Sequence, residues 1–232
     1  MQSLSALRKF VKTRVPILSR TARRIRQEVK RLRMRAIFAR VYRENKWGDA
    51  ESRSGSGSNM KQTDRLRREL PGLLREFRVG AMLDIPCGDF AWMRHVDLAH
   101  TRYVGADIVP EMAAVNNEKY GNQRRSFVCL DLTRDALPQA DLVFCRDGLV
   151  HLPEKDIFRA LANIRKSGAT WLATTTFPDL GQNSDIYYVG EWRRINFLLP
   201  PFSFPPPQRL LVEDSPVWPD KAVGIWRLSD LP

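Results

Sequence analysis

Short apolar runs alternate with helix-like segments along the chain from Ala81 onward. The runs are four to six residues long, whereas the segments between them place apolar residues three and four positions apart. The predicted strands are 81–85, 103–106, 127–130, 142–145 and 169–174, and the predicted helices are 90–96, 111–119 and 154–164. This alternation is typical of βαβ units, so it predicts an α/β fold with a doubly wound, mostly parallel sheet. Two later runs, 210–212 and 223–228, could close the sheet.

Three further segments precede the first strand. Ile25, Val29, Leu32 and Ala36 recur at steps of four and three, which predicts an amphipathic helix over residues 19–42. Residues 47–58 are rich in Gly and Ser and by composition resemble a flexible linker, although a linker rarely needs a Trp at its edge. Residues 59–77 predict a helix that is interrupted near Pro71.

The positive charge of the chain is concentrated in its N-terminal arm. Residues 1–43 contain 14 Lys or Arg and one acid, Glu28, whereas the other 189 residues hold 24 basic and 25 acidic side chains. We therefore predict two parts, a basic helical extension over 1–43 and a domain over 44–232. A cationic amphipathic helix can lie on an anionic membrane, hold RNA through phosphates, or stay solvated. We favour the membrane surface and expect nucleic acid less.

Composition also bears on the compartment. The three cysteines are widely spaced, so neither a disulfide framework nor a zinc site is expected, and we expect no metal. No run approaches the roughly 18 apolar residues that span a bilayer. We expect a cytoplasmic protein, peripheral at the membrane if the arm binds lipid.

Acidic residues stand at the ends of three successive predicted strands. Asp84 opens the turn Asp84–Phe90, Asp107 follows the second strand, and Asp131 follows the third. Gly88 would let the backbone of the turn approach a ligand. Asp107, 19 residues after Gly88, could accept both ribose hydroxyls of a nucleoside. The fingerprint Gly-x-Gly-x-x-Gly is absent, so we expect a nucleoside without a pyrophosphate.

In these ordered motifs the chain resembles the class I S-adenosylmethionine-dependent methyltransferases over roughly residues 60–175. The resemblance implies a Rossmann-like fold and S-adenosyl-L-methionine as cofactor. The turn would contact its methionine part, the acid after strand two its ribose, and the acid after strand three its adenine. Pro86 and Phe90 stand where the family has glycines. The implied cofactor residues are Asp84, Pro86, Cys87, Gly88, Asp89, Phe90, Trp92, Asp107, Ile108, Asp131, Leu132 and Arg146. The run with Trp92 and Cys145–Leu152 further resembles a bacterial subgroup associated with surface polysaccharides and natural products.

Candidate catalytic residues follow the fourth predicted strand. Methyl transfer depends mainly on alignment and the exclusion of water, and a base is needed only for an acceptor hydroxyl that stays protonated. His151 could take that proton, with Asp147 as its orienting partner or as an alternative base. A structural His151 is the alternative.

The acceptor is expected to meet an insertion over residues 180–207. Tyr188, Trp192, Arg193 and Asn196 combine stacking surfaces with hydrogen-bond donors, which suits a sugar or another polar acceptor. Aromatic filling beneath a long loop is the alternative. We therefore expect methylation of a small-molecule or glycan acceptor, at oxygen. The alternatives are an RNA methyltransferase that uses the basic arm and a nucleoside-binding protein without turnover.

Overall fold

Seven strands form one sheet in this computed structural model, which describes residues 31–232 together with Ile25, Glu28 and Val29. The strands are β1 Ala81–Asp84, β2 Arg102–Asp107, β3 Arg125–Cys129, β4 Leu142–Cys145, β5 Trp171–Thr176, β6 Arg209–Val212 and β7 Ala222–Arg227. Their order is β3-β2-β1-β4-β5-β7-β6. β1 to β5 run parallel, and β7 is antiparallel to β5 and β6. The predicted Rossmann-like, mostly parallel fold is confirmed.

Four α-helices accompany the sheet within the described residues. They are α1 over residues 31–43, α2 Asp64–Glu76, α3 Pro110–Tyr120 and α4 Glu154–Lys166. Residues 25, 28 and 29 are also helical, and the rest of the predicted helix before residue 31 lies outside the described residues. Helix α2 continues through Pro71, because Leu66, Leu70 and Leu73 hold its apolar face in the core. The predicted interruption at Pro71 is therefore wrong.

The predicted helix over 90–96 is also wrong, since only the short 3-10 helix Met93–His95 forms there. Phe90 has φ of 60°, in the left-handed region, where an α-helix cannot begin. This conformation turns the Phe90 ring into the core, against Tyr103 and Phe127 at centroid distances of 5.2 and 5.0 Å. The local backbone is thus set by aromatic packing rather than by helical propensity.

The chain divides into two compact units, Met1–Ile37 and Phe38–Pro232, and the whole sheet belongs to the second. The boundary predicted from charge lies after residue 43, where α1 ends, and it stays a prediction. No helix among the described residues has the length and apolar content to cross a membrane. Cys87 and Cys145 are buried and Cys129 is half-buried, and no disulfide joins any of the three to another described residue.

Candidate active site

The carboxyl ends of the parallel strands bring the predicted acids to one edge of the sheet. Asp84 ends β1 beside Gly105 of β2, and Asp107 ends β2 beside Cys129 of β3. The strand order reverses between β1 and β4, which lie next to each other although β2 and β3 intervene in sequence. Open α/β sheets bind ligands at such a reversal.

The turn after β1 folds onto the tip of β2. The Cys87 backbone N–H donates to the Ala106 carbonyl oxygen at 2.8 Å, and the Gly88 N–H donates to Asp107 Oδ2 at 3.2 Å. Asn116 of α3 donates from Nδ2 to the Gly88 carbonyl oxygen at 2.8 Å. Pro86 joins Ile85 through a cis peptide bond. These bonds fix the path of a turn in which Pro86 replaces a glycine.

Asp107 is buried, and both of its carboxylate oxygens accept backbone hydrogen bonds. Oδ2 accepts from Gly88, and Oδ1 accepts from the Val109 N–H at 3.0 Å. Burial raises the pKa of Asp107 to about 6, against the lowering effect of these bonds. Each oxygen keeps a second lone pair, so the carboxylate can still accept from a ligand.

Asp131 has one oxygen fully engaged and one without a hydrogen bond. Oδ1 accepts from the Thr133 backbone N–H at 2.9 Å and from its hydroxyl at 2.6 Å. Oδ2 is buried and accepts no hydrogen bond from the part of the chain that the structure describes, and Arg134 Nε lies 3.8 Å away. Leu132 beside it is buried. A buried acceptor without a donor is costly, and a donor on a ligand would remove that cost.

Asp84 lies beneath the turn rather than at its surface. It is buried, and the Tyr103 hydroxyl donates to its Oδ2 at 2.5 Å. Burial raises the pKa of Asp84 to about 7, while the bond from Tyr103 and the charge of Arg146 oppose the rise. Phe90 and Trp92, implied as cofactor residues, have their side chains in the core. The ring centroids of Trp92 and Phe144 are 6.2 Å apart there. Their side chains therefore do not face a ligand as expected.

Residues 38–58, which we call the cover segment, contact each part of this edge in turn. The predicted linker over 47–58 is thus wrong, because it is bonded to the turn after β1. Asp89 accepts from the Ser52 hydroxyl at 3.0 Å and from the Arg53 N–H at 2.7 Å. A Cβ on Gly88 would lie 2.2 Å from Ser54 Oγ. The close approach expected of a ligand at Gly88 is therefore made by Ser54.

The end of α1, which opens the cover segment, packs over the tip of β2. Ala39 lies in one apolar cluster with Val109 and Met112, and Ile108 packs against the same cluster. Further along, Gly57 accepts a hydrogen bond through its carbonyl oxygen from Arg146 at 2.7 Å. The cover segment thus reaches from β2 to the end of β4.

Arg146 belongs to a buried ion-pair network rather than to an open ligand site. Its guanidinium donates to Glu213 Oε1 at 2.9 Å and Oε2 at 2.7 Å, and Lys221 Nζ lies 3.3 Å from Oε2. The Glu213 side chain is fully buried. Sequence reasoning missed Glu213 and Lys221. The only signal was their position, since Glu213 directly follows β6 and Lys221 directly precedes β7.

Asp147 is paired to the cations of this network. Lys221 Nζ donates to its Oδ2 at 2.6 Å, and Arg146 lies 3.2 Å away. Burial by itself raises the pKa of Asp147, but Lys221 and Arg146 bring it well below its usual range. A carboxylate held in this way takes up protons poorly, which argues against Asp147 as the alternative base.

His151 is held between aromatic rings at the other side of the edge. Trp47 stacks on it at 5.1 Å with an interplanar angle of 23°, and Phe38 meets it edge-on at 6.4 Å. Its Nδ1 contacts the Glu191 carbonyl oxygen at 2.9 Å, so this carbonyl, and not the predicted Asp147, orients the ring. Burial lowers the pKa of His151 below 6.5, although the Glu191 carbonyl and Asp147 oppose the shift.

The tautomer follows from this contact. A carbonyl oxygen can only accept, so Nδ1 carries the proton in the neutral ring and Nε2 keeps its lone pair. In its neutral form, which the lowered pKa favours, His151 thus offers Nε2 as a hydrogen-bond acceptor.

The predicted acceptor residues fall into two groups. Tyr188 is 65% exposed and Trp192 is 42% exposed. Arg193 and Asn196 are buried, which contradicts their expected role in contacting the acceptor. Arg193 donates to the carbonyls of Ser184 and Val150, and Asn196 Nδ2 donates to those of Pro178 and Leu180. Both side chains hold the loop that contains them.

Comparison with known proteins agrees with this geometry. Residues 83–168 match the family model described as a methyltransferase domain. No curated protein sequence matches the chain significantly. A putative methyltransferase from Thermobifida fusca YX is similar in fold, with 15% identity and a TM-score of 0.52 over 84% of this chain and 87% of that one.

Two further structures are similar. The S-adenosylmethionine-dependent methyltransferase SibL, in its apo form, shares 16% identity and a TM-score of 0.50, over 71% of this chain and 55% of that one. Human N-acetylserotonin methyltransferase in complex with SAM shares 13% identity and a TM-score of 0.48, over 72% of this chain and 56% of that one. The chain thus spans little more than half of either protein. At 15% and 16% identity, the likeness to the Thermobifida fusca protein and to SibL shows the fold alone.

Proposed function

We infer that this chain, in which residues 83–168 match a methyltransferase domain, is a class I S-adenosylmethionine-dependent methyltransferase that transfers a methyl group to a hydroxyl oxygen of a small-molecule or glycan acceptor. The observation that carries the choice of oxygen is His151. Its ring is oriented through Nδ1, its Nε2 makes no hydrogen bond with any described residue, and it stands at the edge of the sheet where the residues implied for the cofactor meet.

The residues at the edge suit S-adenosylmethionine. Asp107 at the tip of β2 has acceptor capacity for ribose hydroxyls. Asp131 Oδ2, which accepts no hydrogen bond from the described residues, is matched by an adenine amino group, which is a donor. When bound, the cofactor supplies a methyl group on a positively charged sulfur, and this sulfur is the leaving group when a nucleophile bonds to the methyl carbon.

The chain's own contribution to such a transfer is proton removal and the exclusion of water. His151 Nε2 would accept the hydroxyl proton while Nδ1–H stays bonded to Glu191, so the imidazolium that forms keeps its orientation. The stacked Trp47 and the edge-on Phe38 shield the ring from solvent. Both belong to the cover segment, which couples this shielding to the ordered state of residues 38–58.

Turnover of His151→Ala tests the proposal. We expect it to fall by about a hundredfold or more, with nearly unchanged cofactor affinity, because only proton transfer is lost. Wild-type turnover should fall as the pH drops below the lowered pKa of His151, and the variant should lose this acidic limb. His100→Ala removes an exposed imidazole and serves as the matched control.

Melting temperature, calorimetry with S-adenosylmethionine and turnover are measured on the same preparations. A stable His151→Ala variant with near-normal turnover would refute the base and leave alignment alone. A variant that loses stability and activity together would indicate a structural His151.

We also propose that the basic arm brings this enzyme to an anionic membrane surface from the cytoplasm. The support is charge: residues 1–37 hold 12 Lys or Arg and one acid. The second compact unit begins at Phe38, whose ring contacts His151. Removal of the arm should therefore stop before that residue.

A further inference from the structure

Two tryptophans from different loops meet beyond the end of β5. Phe177 follows β5 and is fully buried, and both indoles stand nearly perpendicular to its ring, Trp192 at 6.0 Å and Trp218 at 6.4 Å. The two indoles lie 5.2 Å apart at 33°. Because Phe177 is fixed in the core, it sets the orientation of both.

This pair leaves apolar surface in water. Trp192 is 42% exposed and Trp218 is half-buried. A large exposed ring forgoes much of the free energy that burial would give, and exposed aromatic surface on a rigid support is typical of recognition sites.

Arg194 completes the surface. Its guanidinium carbon lies 5.0 Å from the centroid of the Trp218 ring. Among the residues that the structure describes, Arg194 makes no hydrogen bond or ion pair with the rest of the chain. Asp220, two residues after Trp218, accepts instead from the Asp179 N–H. The cation is thus held in place by a ring face and keeps its five N–H donors for another molecule.

Both loops of this surface are tied to residues that flank the proposed reaction. Trp192 follows Glu191, whose carbonyl orients His151. The Trp218 carbonyl oxygen accepts from the Lys221 N–H at 2.9 Å, and the Lys221 ammonium binds Asp147. The two indoles are thus carried by loops whose backbones also contact His151 and Lys221.

We propose that Trp192, Trp218 and Arg194 form the recognition platform for an anionic pyranose acceptor. The apolar face of the sugar ring stacks on the indoles, and its carboxylate or phosphate pairs with the Arg194 guanidinium. This inference rests on the proposed function, whose acceptor class it narrows. Of the predicted acceptor residues it keeps Trp192, and it adds Trp218 and Arg194.

Binding without turnover tests the platform in the full-length chain saturated with S-adenosylhomocysteine. The probes are glucuronate, glucose 6-phosphate and glucose, which share one ring and differ in charge, and affinity is measured by saturation-transfer NMR titration. We expect at least one acid to bind about tenfold or more tightly than glucose, and which one does so identifies the anionic group.

Variants separate the two contacts. Arg194→Gln should abolish the preference for the acid and leave glucose binding unchanged, whereas Arg194→Lys should retain part of it. Trp218→Ala should weaken all three probes. Arg227→Gln is the matched control, because Arg227 lies over Trp171 in a similar cation–π contact, 5.6 Å from the centroid, at the opposite end of β5.

Three results would overturn the platform. They are equal binding of the acidic and neutral probes, no binding at millimolar concentrations, and equal effects of Arg194→Gln and Arg227→Gln. Trp218→Phe keeps a ring against Phe177 and should retain partial binding if Trp218→Ala fails to fold. His151→Ala should bind the probes normally. If turnover of His151→Ala stays near normal while the probes still bind, the proposed function is refuted and the platform is not.

Discussion

Asp84 should make the protein less stable as the pH rises, and Asp84→Asn should remove that dependence. The carboxyl is buried, the Tyr103 hydroxyl is its only hydrogen-bond donor among the described residues, and its pKa rises from 3.8 to about 7 on folding. Between these values the unfolded chain has released the proton and the folded chain still holds it. The free energy of unfolding therefore falls as the pH increases through this window.

The size of the effect follows from the shift. About three pKa units at about 1.4 kcal/mol each give about 4 kcal/mol, lost between pH 4 and pH 7 and constant above it. This is a large share of the 5–15 kcal/mol typical of a folded domain. In Asp84→Asn the amide oxygen still accepts from Tyr103 and no charge is buried, so the stability of the variant relative to the wild type should increase from pH 4 to pH 7 and then stay constant.

Urea unfolding of both proteins at pH 4, 5, 6, 7 and 8, without cofactor, measures the difference directly. Taking the difference cancels other groups that titrate in this range, such as Asp107. Glu118→Gln removes a charge from an exposed position of α3 and should show no such trend. A difference between Asp84→Asn and wild type that stays within about 1 kcal/mol across the range would mean that Asp84 is ionised in the fold, and the argument would fail.

Three other perturbations have definite outcomes. Asp107→Asn should weaken S-adenosylmethionine binding by roughly 1.5–3 kcal/mol in calorimetry, and wild-type affinity should fall below pH 6 as this carboxylate is protonated. An unchanged affinity in the folded variant would refute the assignment of Asp107 to the ribose. Deleting residues 1–37 should abolish sedimentation with anionic liposomes and leave cofactor binding intact, whereas salt-sensitive RNA binding without liposome binding would favour the RNA alternative. Gly88→Ala should destabilise the fold by about 1–2 kcal/mol or more in urea unfolding, because Gly88 has φ of +57° and Ser54 Oγ occupies the position of the new Cβ. Adding Ser54→Ala to this variant should restore part of the lost stability, and equal stability of Gly88→Ala and the wild type would contradict the close contact.

The sheet and its acidic tips could be predicted from the sequence because both are local signals. Apolar runs mark the strands, and parallel strands bring their carboxyl ends to one edge whatever lies between them. The positions of Asp84, Asp107 and Asp131 follow directly. Phe90 shows the limit, since a phenylalanine with positive φ is uncommon and its conformation depends on rings contributed by β2 and β3.

The cover segment and the acceptor loop could not be predicted, because their bonds are distant in sequence. Ser54 meets Asp89 35 residues away, and Gly57 meets Arg146 89 residues away. Glycine and serine are also typical of flexible linkers, so the composition of residues 47–58 predicted a linker that the structure does not show. Asn196 has the donors that a ligand site needs, but its own loop uses them, and sequence does not distinguish these two partners.

The cover segment also determines where this protein can be shortened. Its Gly/Ser-rich composition suggests a natural place to cut, and a chain that begins at Asn59 would keep every strand of the sheet. Such a chain would lose the indole stacked on His151, the hydroxyls bonded to Asp89 and the carbonyl bonded to Arg146. It should therefore fold around its sheet and yet present an imidazole open to water, with a charge network missing one acceptor. The shortest foldable version of this domain and the shortest competent one would then differ by about twenty residues, those from Phe38 to Ser58.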